Sequence, residues 1–268
     1  MIWSFWVMHH ARSRHPSKSR ENRPSVLAYE QIRGFKRSVA DKNALLSRYE
    51  KVNYLEKADY IFLNQLADDE DSYIRSSIAC MLVDFVTSQS KNILLKLAND
   101  CDAIVRMQAY DSLSAFPFLD VEEKLRNALQ NECDDLARSY VIMFYVDISA
   151  ALHFDNSLCY RMLQNSLVTE KSEICILSIY YALYKLGDDT MLDKMLSLLH
   201  NESYHIRCAS IKRLYEITTV SNMEEIRQAM VQLLKEEKVP AVICCAEKYM
   251  KEMVGAQEGD TEDDSFHS

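Results

Sequence analysis

Glycine and proline are scarce in this chain, with four of each in 268 residues. Sheet proteins place such residues at turns every few positions, so their scarcity excludes a turn-rich β fold and favours helices joined by short connections. Long hydrophobic runs are also missing. The longest, YVIMFYV at 140–146, falls far short of the ~18 residues a membrane-spanning helix needs. Basic charge is in deficit: 31 Lys and Arg against 40 Asp and Glu leave a formal net charge of −9. That balance argues against a nucleic-acid backbone as the main partner. The catalytic signatures are absent as well. Before the C-terminal stretch the only glycines are Gly34 and Gly187, so no phosphate loop is possible, and neither GxSxG nor HExxH occurs.

What is present is spread thinly. The eight Cys (Cys80, Cys101, Cys133, Cys159, Cys175, Cys208, Cys244 and Cys245) include no CxxC. They read as reduced, small and mostly buried, which fits a cytoplasmic protein. Cys244 and Cys245 are adjacent, and on a helix they point about 100° apart, so they do not readily bridge each other. His200 and His205 flank one inter-helix turn with Glu202 between them. That gap is not a metal-ligand spacing, so a turn-lining role is expected, with no metal, cofactor or catalytic residue.

Both ends differ from the body. Residues 1–24 carry Arg12, Arg14, Lys18, Arg20 and Arg23 against the single acid Glu21. Their apolar part precedes their basic part, the reverse of a secretory signal, and a disordered basic extension is expected. Residues 255–268 read as a disordered acidic tail, which leaves 25–254 as the folded body.

Within that body one pattern recurs. Ile74-Arg75, Val105-Arg106 and Ile206-Arg207 each lead to a small or β-branched residue three places after the Arg and a Leu seven places after it. With the Arg as position zero, Arg138 fits, and Cys175 and Ile243 complete the series more loosely. The steps between successive zeros are 31, 32, 37, 32 and 36 residues, the length of a helix–turn–helix unit. Offsets −1, +3 and +7 lie on one helical stripe and define the expected core face. A shorter amphipathic segment, such as KNILLKLA or TMLDKMLSLL, precedes each such helix. Gly187 reads as a helix C-terminal glycine and Pro240 as a first helical position.

This pattern resembles the HEAT-repeat family over roughly residues 55–252. The resemblance implies an all-α, right-handed α-solenoid of about six HEAT-like helix–turn–helix repeats, with a helical cap at 26–52. It also implies a ladder linking neighbouring repeats, carried by Asp71/Arg75, Asp102/Arg106 and Asp134/Arg138. Ser203 replaces the Asp before Arg207, and Lys171/Cys175 and Val239/Ile243 replace both members. The ladder is therefore expected to lapse toward the C-terminal half. Two enzyme families share the fold. The deoxyhypusine hydroxylases use His-Glu pairs, which this chain lacks, and the alkylpurine DNA glycosylases use a basic groove, where this body is acidic.

In such a solenoid the second helices line the concave side. The stripe at +2, +5 and +9 is polar or small toward both ends and aromatic in the middle, with Tyr140, Met143, Leu177, Tyr180 and Tyr184. Those five residues are the expected partner-binding patch, since Tyr and Met combine contact area with adaptability. The competing reading makes them ordinary core. The expected function is a non-catalytic scaffold or adaptor for another protein or peptide. The alternatives are an immunity- or inhibitor-like module masking a basic protein and, third, an enzyme on a HEAT scaffold.

Overall fold

The structure, a computed structural model, describes residues 39–49 and 52–260. The extension expected over 1–24 lies outside them, as does the end of the acidic tail. Among the described residues every regular element is helical: thirteen α-helices and one 3-10 turn. Two compact units divide between Ala115 and Phe116.

The first unit holds α1 (Val39–Tyr49), α2 (Lys57–Leu66), α3 (Ser72–Leu82), α4 (Ser88–Leu97) and α5 (Ala103–Leu113). Helix α3 packs between α1 and α5, while α2 and α4 pack on each other and on their own partners. The layering follows from the stripe. Ile74, Ile78 and Leu82 on α3, and Val105, Ala109 and Leu113 on α5, are wholly inside. Burying each large aliphatic side chain contributes about 1.5–3 kcal/mol. The helix starts are set by side chains: the Asp71 carboxylate accepts the Tyr73 N–H and the Asp102 carboxylate accepts the Ile104 N–H, each at 2.8 Å. Asp102→Ala is expected to cost about 1 kcal/mol, the usual loss for an N-cap, read as a lower urea midpoint with an unchanged m-value.

The second unit holds α6 (Leu119–Asn131), α7 (Asp135–Ala151), α8 (Asn156–Thr169), α9 (Glu173–Lys185), α10 (Thr190–Ser197) with its 3-10 continuation Leu198–His200, α11 (Tyr204–Glu216), α12 (Met223–Glu236) and α13 (Pro240–Asp260). Helices α7, α9, α11 and α13 pack successively on one another, each also touching the helix before it. A central core joins Ile142 and Val146 of α7, Leu163 of α8, Cys175, Ile179, Ala182 and Leu183 of α9, and Met191 of α10. Gly187, at φ 97°, ends α9: its N–H reaches the Tyr184 carbonyl and that of Asp188 the Leu183 carbonyl. Pro240 opens α13, where its missing N–H costs nothing. That helix runs to Asp260.

The described helices form α1 and six pairs, and a polar ladder follows the pairs within each unit. Its acid differs from the one expected. Asp71, Asp102 and Asp134 cap their helices, and the carboxylates that reach the neighbouring repeat stand six places before position zero. Arg75 Nε and Nη2 grip the Asp100 carboxylate at 2.6 and 2.7 Å. Arg138 grips Glu170 at 3.1 and 3.2 Å, and Arg207 grips Glu237 at 2.7 and 3.0 Å. The N-terminal helix joins in through Lys42 to Asp69 at 2.6 Å. Each arginine also donates to carbonyls of its own turn, as Arg207 does to Asn201 and Glu202.

The ladder does not lapse in the C-terminal half. Where no arginine stands, Asn201 Nδ2 donates to Glu173 Oε1 at 2.7 Å. Arg207 needs no aspartate at 203, because its partner comes from the following turn.

Repeat four also corrects the register. Glu170 takes the ladder position, its Oε1 accepting the Ser172 N–H at 2.9 Å, and Ser172 is the N-cap residue. Position zero is therefore Ile176 rather than Cys175. The core row becomes Cys175, Ile179 and Leu183, all fully buried, while Ile174 is only partly buried.

The cysteines divide more evenly than expected. Cys159, Cys175 and Cys208 are buried, Cys80 and Cys245 intermediate, and Cys101, Cys133 and Cys244 exposed, all as free thiols. Burial pushes the Cys175 thiol up to about 11, and its Sγ meets the Asp135 carbonyl at 3.1 Å.

Candidate functional site

A one-residue shift turns a helix by about 100° and exchanges the residues on a face. In repeat four the stripe at +2, +5 and +9 is therefore Ser178, Tyr181 and Lys185. Leu177, Tyr180 and Tyr184 lie elsewhere. Leu177 is 0% exposed, and Tyr180 and Tyr184 are half-buried against the central core. The Tyr184 hydroxyl accepts a hydrogen bond from Nδ2 of the buried Asn222 at 2.9 Å. Tyr140 and Met143 hold the expected face position but are 6% and 2% exposed. The five residues do not form an exposed apolar patch.

The second helices of the second unit instead bring together a charged and aromatic seam, one residue at a time. Helix α7 supplies Tyr140, Phe144 and Asp147, with the Tyr140 and Phe144 rings 5.7 Å apart. Helix α9 supplies Tyr181 and Lys185, and Lys185 pairs with Asp147 across the two helices. Helix α11 supplies Arg213, which pairs with Glu216 on its own helix and lies 5.5 Å over the Tyr181 ring, while Lys185 lies 5.4 Å from that ring. Tyr181 is thus held between two cations, an arrangement favoured by the negative face of its ring. Helix α13 supplies Lys248 and Tyr249. Lys248 sits 5.0 Å over the Tyr249 ring, which also meets Tyr215 at 4.6 Å.

The electrostatics follow from burial and pairing. Burial works against the charge on Lys185, yet Tyr181 and Asp147 hold its pKa above the ordinary value. Burial likewise opposes the charge on Arg213, and Glu216, Tyr140 and Tyr181 raise it. Tyr181 is raised by burial first and then by Glu216, and Tyr249 by burial and Cys245. These shifts all point away from neutrality. Each of these groups keeps one protonation state near pH 7, which suits fixed recognition better than proton transfer, where a pKa near the working pH is needed.

The other candidates stay apart from this seam. His200 and His205 flank their turn, and the His205 ring stacks on Tyr204 at 3.8 Å. Among the described residues no group of three His, Cys, Asp or Glu is placed to hold a metal ion, and no helix is long and apolar enough to cross a membrane.

Tyr181 and Lys185 were missed in the sequence because repeat four has no arginine to mark its register, and Arg213 and Tyr249 because each stands six places after its zero, off the +2, +5 and +9 stripe. A signal existed: Asp69, Asp100, Glu132 and Glu237 all stand six places before their zeros, and Glu170 stands six before Ile176.

Comparison with known proteins agrees with this architecture. Residues 61–143 match the family model for HEAT repeats. No curated protein matches the chain. Among solved structures, the chain is similar to one from the complex of CpcE and CpcF of phycocyanin lyase from Nostoc sp. PCC7120. The TM-score is 0.54 at 16% identity, covering 90% of this chain and 98% of that one. Human deoxyhypusine hydroxylase in complex with glycerol also matches, at a TM-score of 0.38 and 13% identity, over 81% of this chain and 91% of that one. The first likeness concerns the fold alone, and the second adds nothing to it. The fold is of the all-α, helical-repeat solenoid type, and HEAT repeats are matched over residues 61–143.

Proposed function

We propose that this chain is a non-catalytic scaffold that binds another protein or peptide on the seam formed by α7, α9, α11 and α13. One observation carries the reading: side chains from four successive repeats are linked through Asp147–Lys185, Lys185 and Arg213 on Tyr181, and Tyr215 on Tyr249, with Lys248 over the Tyr249 ring. Tyr181, Arg213 and Tyr249 are buried and hold in place the partly exposed Asp147, Lys185 and Lys248 beside them; charges fixed before binding lose little freedom when a partner arrives, so these three are the anchors. The resolved shifts in this seam favour fixed charge over proton transfer, which supports a binding role over an acid–base enzyme. The Nostoc neighbour comes from a complex of two protein chains, which is consistent with a protein as partner. The acidic balance of the chain supports neither nucleic acid nor an anionic membrane surface as the ligand, and its free thiols suit a cytoplasmic setting.

The test is quantitative capture. The tagged full chain is used to isolate and identify a partner, and binding is then measured for Lys185→Ala/Lys248→Ala beside a Lys194→Ala control. Lys194, exposed on α10, lies off the seam. The double variant should bind about tenfold or more weakly with unchanged helical circular dichroism, since truncated anchors cost upward of 1 kcal/mol each. Wild-type affinity in the double variant would remove the seam as the docking surface.

A further inference from the structure

Between α11 and α13 lies a feature the scaffold reading does not use. The two helices pack together with small residues between them, Ser210 and Ala246 being fully buried. This close approach places Cys208 of α11 against Cys245 of α13. The Cys245 thiol donates to the Cys208 carbonyl oxygen at 3.7 Å, which sets its sulfur against the backbone that carries Cys208. Cys208 is buried, Cys245 is half-buried, and the neighbouring Cys244 faces solvent.

We propose that Cys208 and Cys245 form an oxidisable dithiol, which a hydroperoxide converts into a disulfide stapling α11 to α13. The environment assigns the two roles. The neighbouring Cys245 thiol is the main cause that lowers the Cys208 thiol pKa; burial opposes it and the adjacent Arg207 assists. The Cys245 thiol is raised, by Cys208 first and by burial second. Cys208 therefore gives up its proton first, and a thiolate is the nucleophile toward peroxide.

The chemistry balances in two steps. The Cys208 thiolate attacks one peroxide oxygen, the O–O bond breaks, and Cys208 sulfenic acid and hydroxide form; the proton released from Cys208 neutralises the hydroxide. The Cys245 sulfur then attacks the Cys208 sulfur, the S–O bond breaks, and the Cys245 proton leaves with the hydroxyl as water. Two thiols are oxidised and one hydroperoxide is reduced. Both cysteines lie in the same unit and on helices already in contact, so the reaction closes a loop through α12 without separating the repeats.

The experiment treats the chain with stoichiometric hydrogen peroxide, alkylates the remaining thiols in denaturant and maps the peptides by mass. The expected result is a peptide linking position 208 to position 245. It should be absent in Cys208→Ala and in Cys245→Ala, retained in Cys244→Ala, and restored to two alkylatable thiols by dithiothreitol. A bridge to Cys244 would overturn the proposal. So would oxidation confined to the exposed Cys101, Cys133 and Cys244 with positions 208 and 245 still fully alkylated. Should an alanine variant fail to fold, the wild-type map decides alone.

Discussion

Replacing Ile179 with aspartate is expected to destabilise the chain by about 4–5 kcal/mol, at the upper end for single substitutions. Ile179 is fully buried on α9 in the core with Ile142, Val146, Leu163 and Leu183. No cation or donor is at hand for an ionised carboxylate among those side chains, so the group must either stay charged without a partner or take up a proton. Both options cost several kcal/mol. Because helix repeats draw stability from their own pairings and those of their neighbours, hydrogen exchange should show the loss of protection first in α7–α11. A urea midpoint equal to wild type would place Ile179 outside the core and restore Cys175 as position zero of repeat four.

Arg207→Ala should cost about 3–5 kcal/mol, the range for removing one partner of a buried ion pair. The side chains of Arg207 and Glu237 are 12% and 5% exposed. The substitution strands the Glu237 carboxylate, and the Asn201 and Glu202 carbonyls also lose their donor. Arg207→Lys should recover only part of the loss, since a single ammonium lacks the planar fork that reaches both carboxylate oxygens and the carbonyls.

The ladder also sets a direction for pH dependence. Glu237 is held below the ordinary carboxylate range by its hydrogen bonds from Arg207, against the opposing effect of burial. For Asp100 and Glu170 burial is the largest influence and acts upward. For Asp100 the Arg75 hydrogen bond leads the opposing influences, and for Glu170 the Ser172 N–H leads, joined by Arg138, so that both end lower. These carboxylates bind protons less readily folded than unfolded, so the unfolded state takes up more protons as pH falls. The ladder contribution is thus complete above the unfolded carboxylate values of about 4 and is lost progressively below them. Urea midpoints measured downward from pH 7 should hold until that range and then fall, and the fall should be shallower in Arg207→Ala. An equal acid slope in the two proteins would remove the Arg207–Glu237 pair from the acid response.

The sequence by itself determined the repeat and most of its internal order. The scarcity of turn residues, the spacing near 30–40 residues and the −1, +3, +7 stripe are local properties of a 3.6-residue helix. Accordingly Ile74, Val105, Ile206, Ala109 and Leu214 lie inside as read. Caps are equally local: Asp71, Asp102 and Asp134 each bond a backbone N–H two or three residues ahead.

Only the tertiary structure decided what passes between repeats. In the turns before α3, α5 and α7 a cap aspartate and a second carboxylate stand two residues apart, and either can be reached by an arginine on paper. Which one meets the neighbouring Arg depends on how one pair stacks on the next, and Asp100, Glu170 and Glu237 take that place. Helix α9 starts at Glu173, after the N-cap residue Ser172, one place later than the sequence register implied. Every side chain on that helix was thereby turned by about 100°, which moved Tyr180 and Tyr184 toward the core and brought Tyr181 and Lys185 to Arg213 and Asp147. A face that combines residues from separate helices depends on their mutual rotation; the acid at −6 marks the register of each helix along the chain, but which side chains of neighbouring helices then meet is fixed only by their packing.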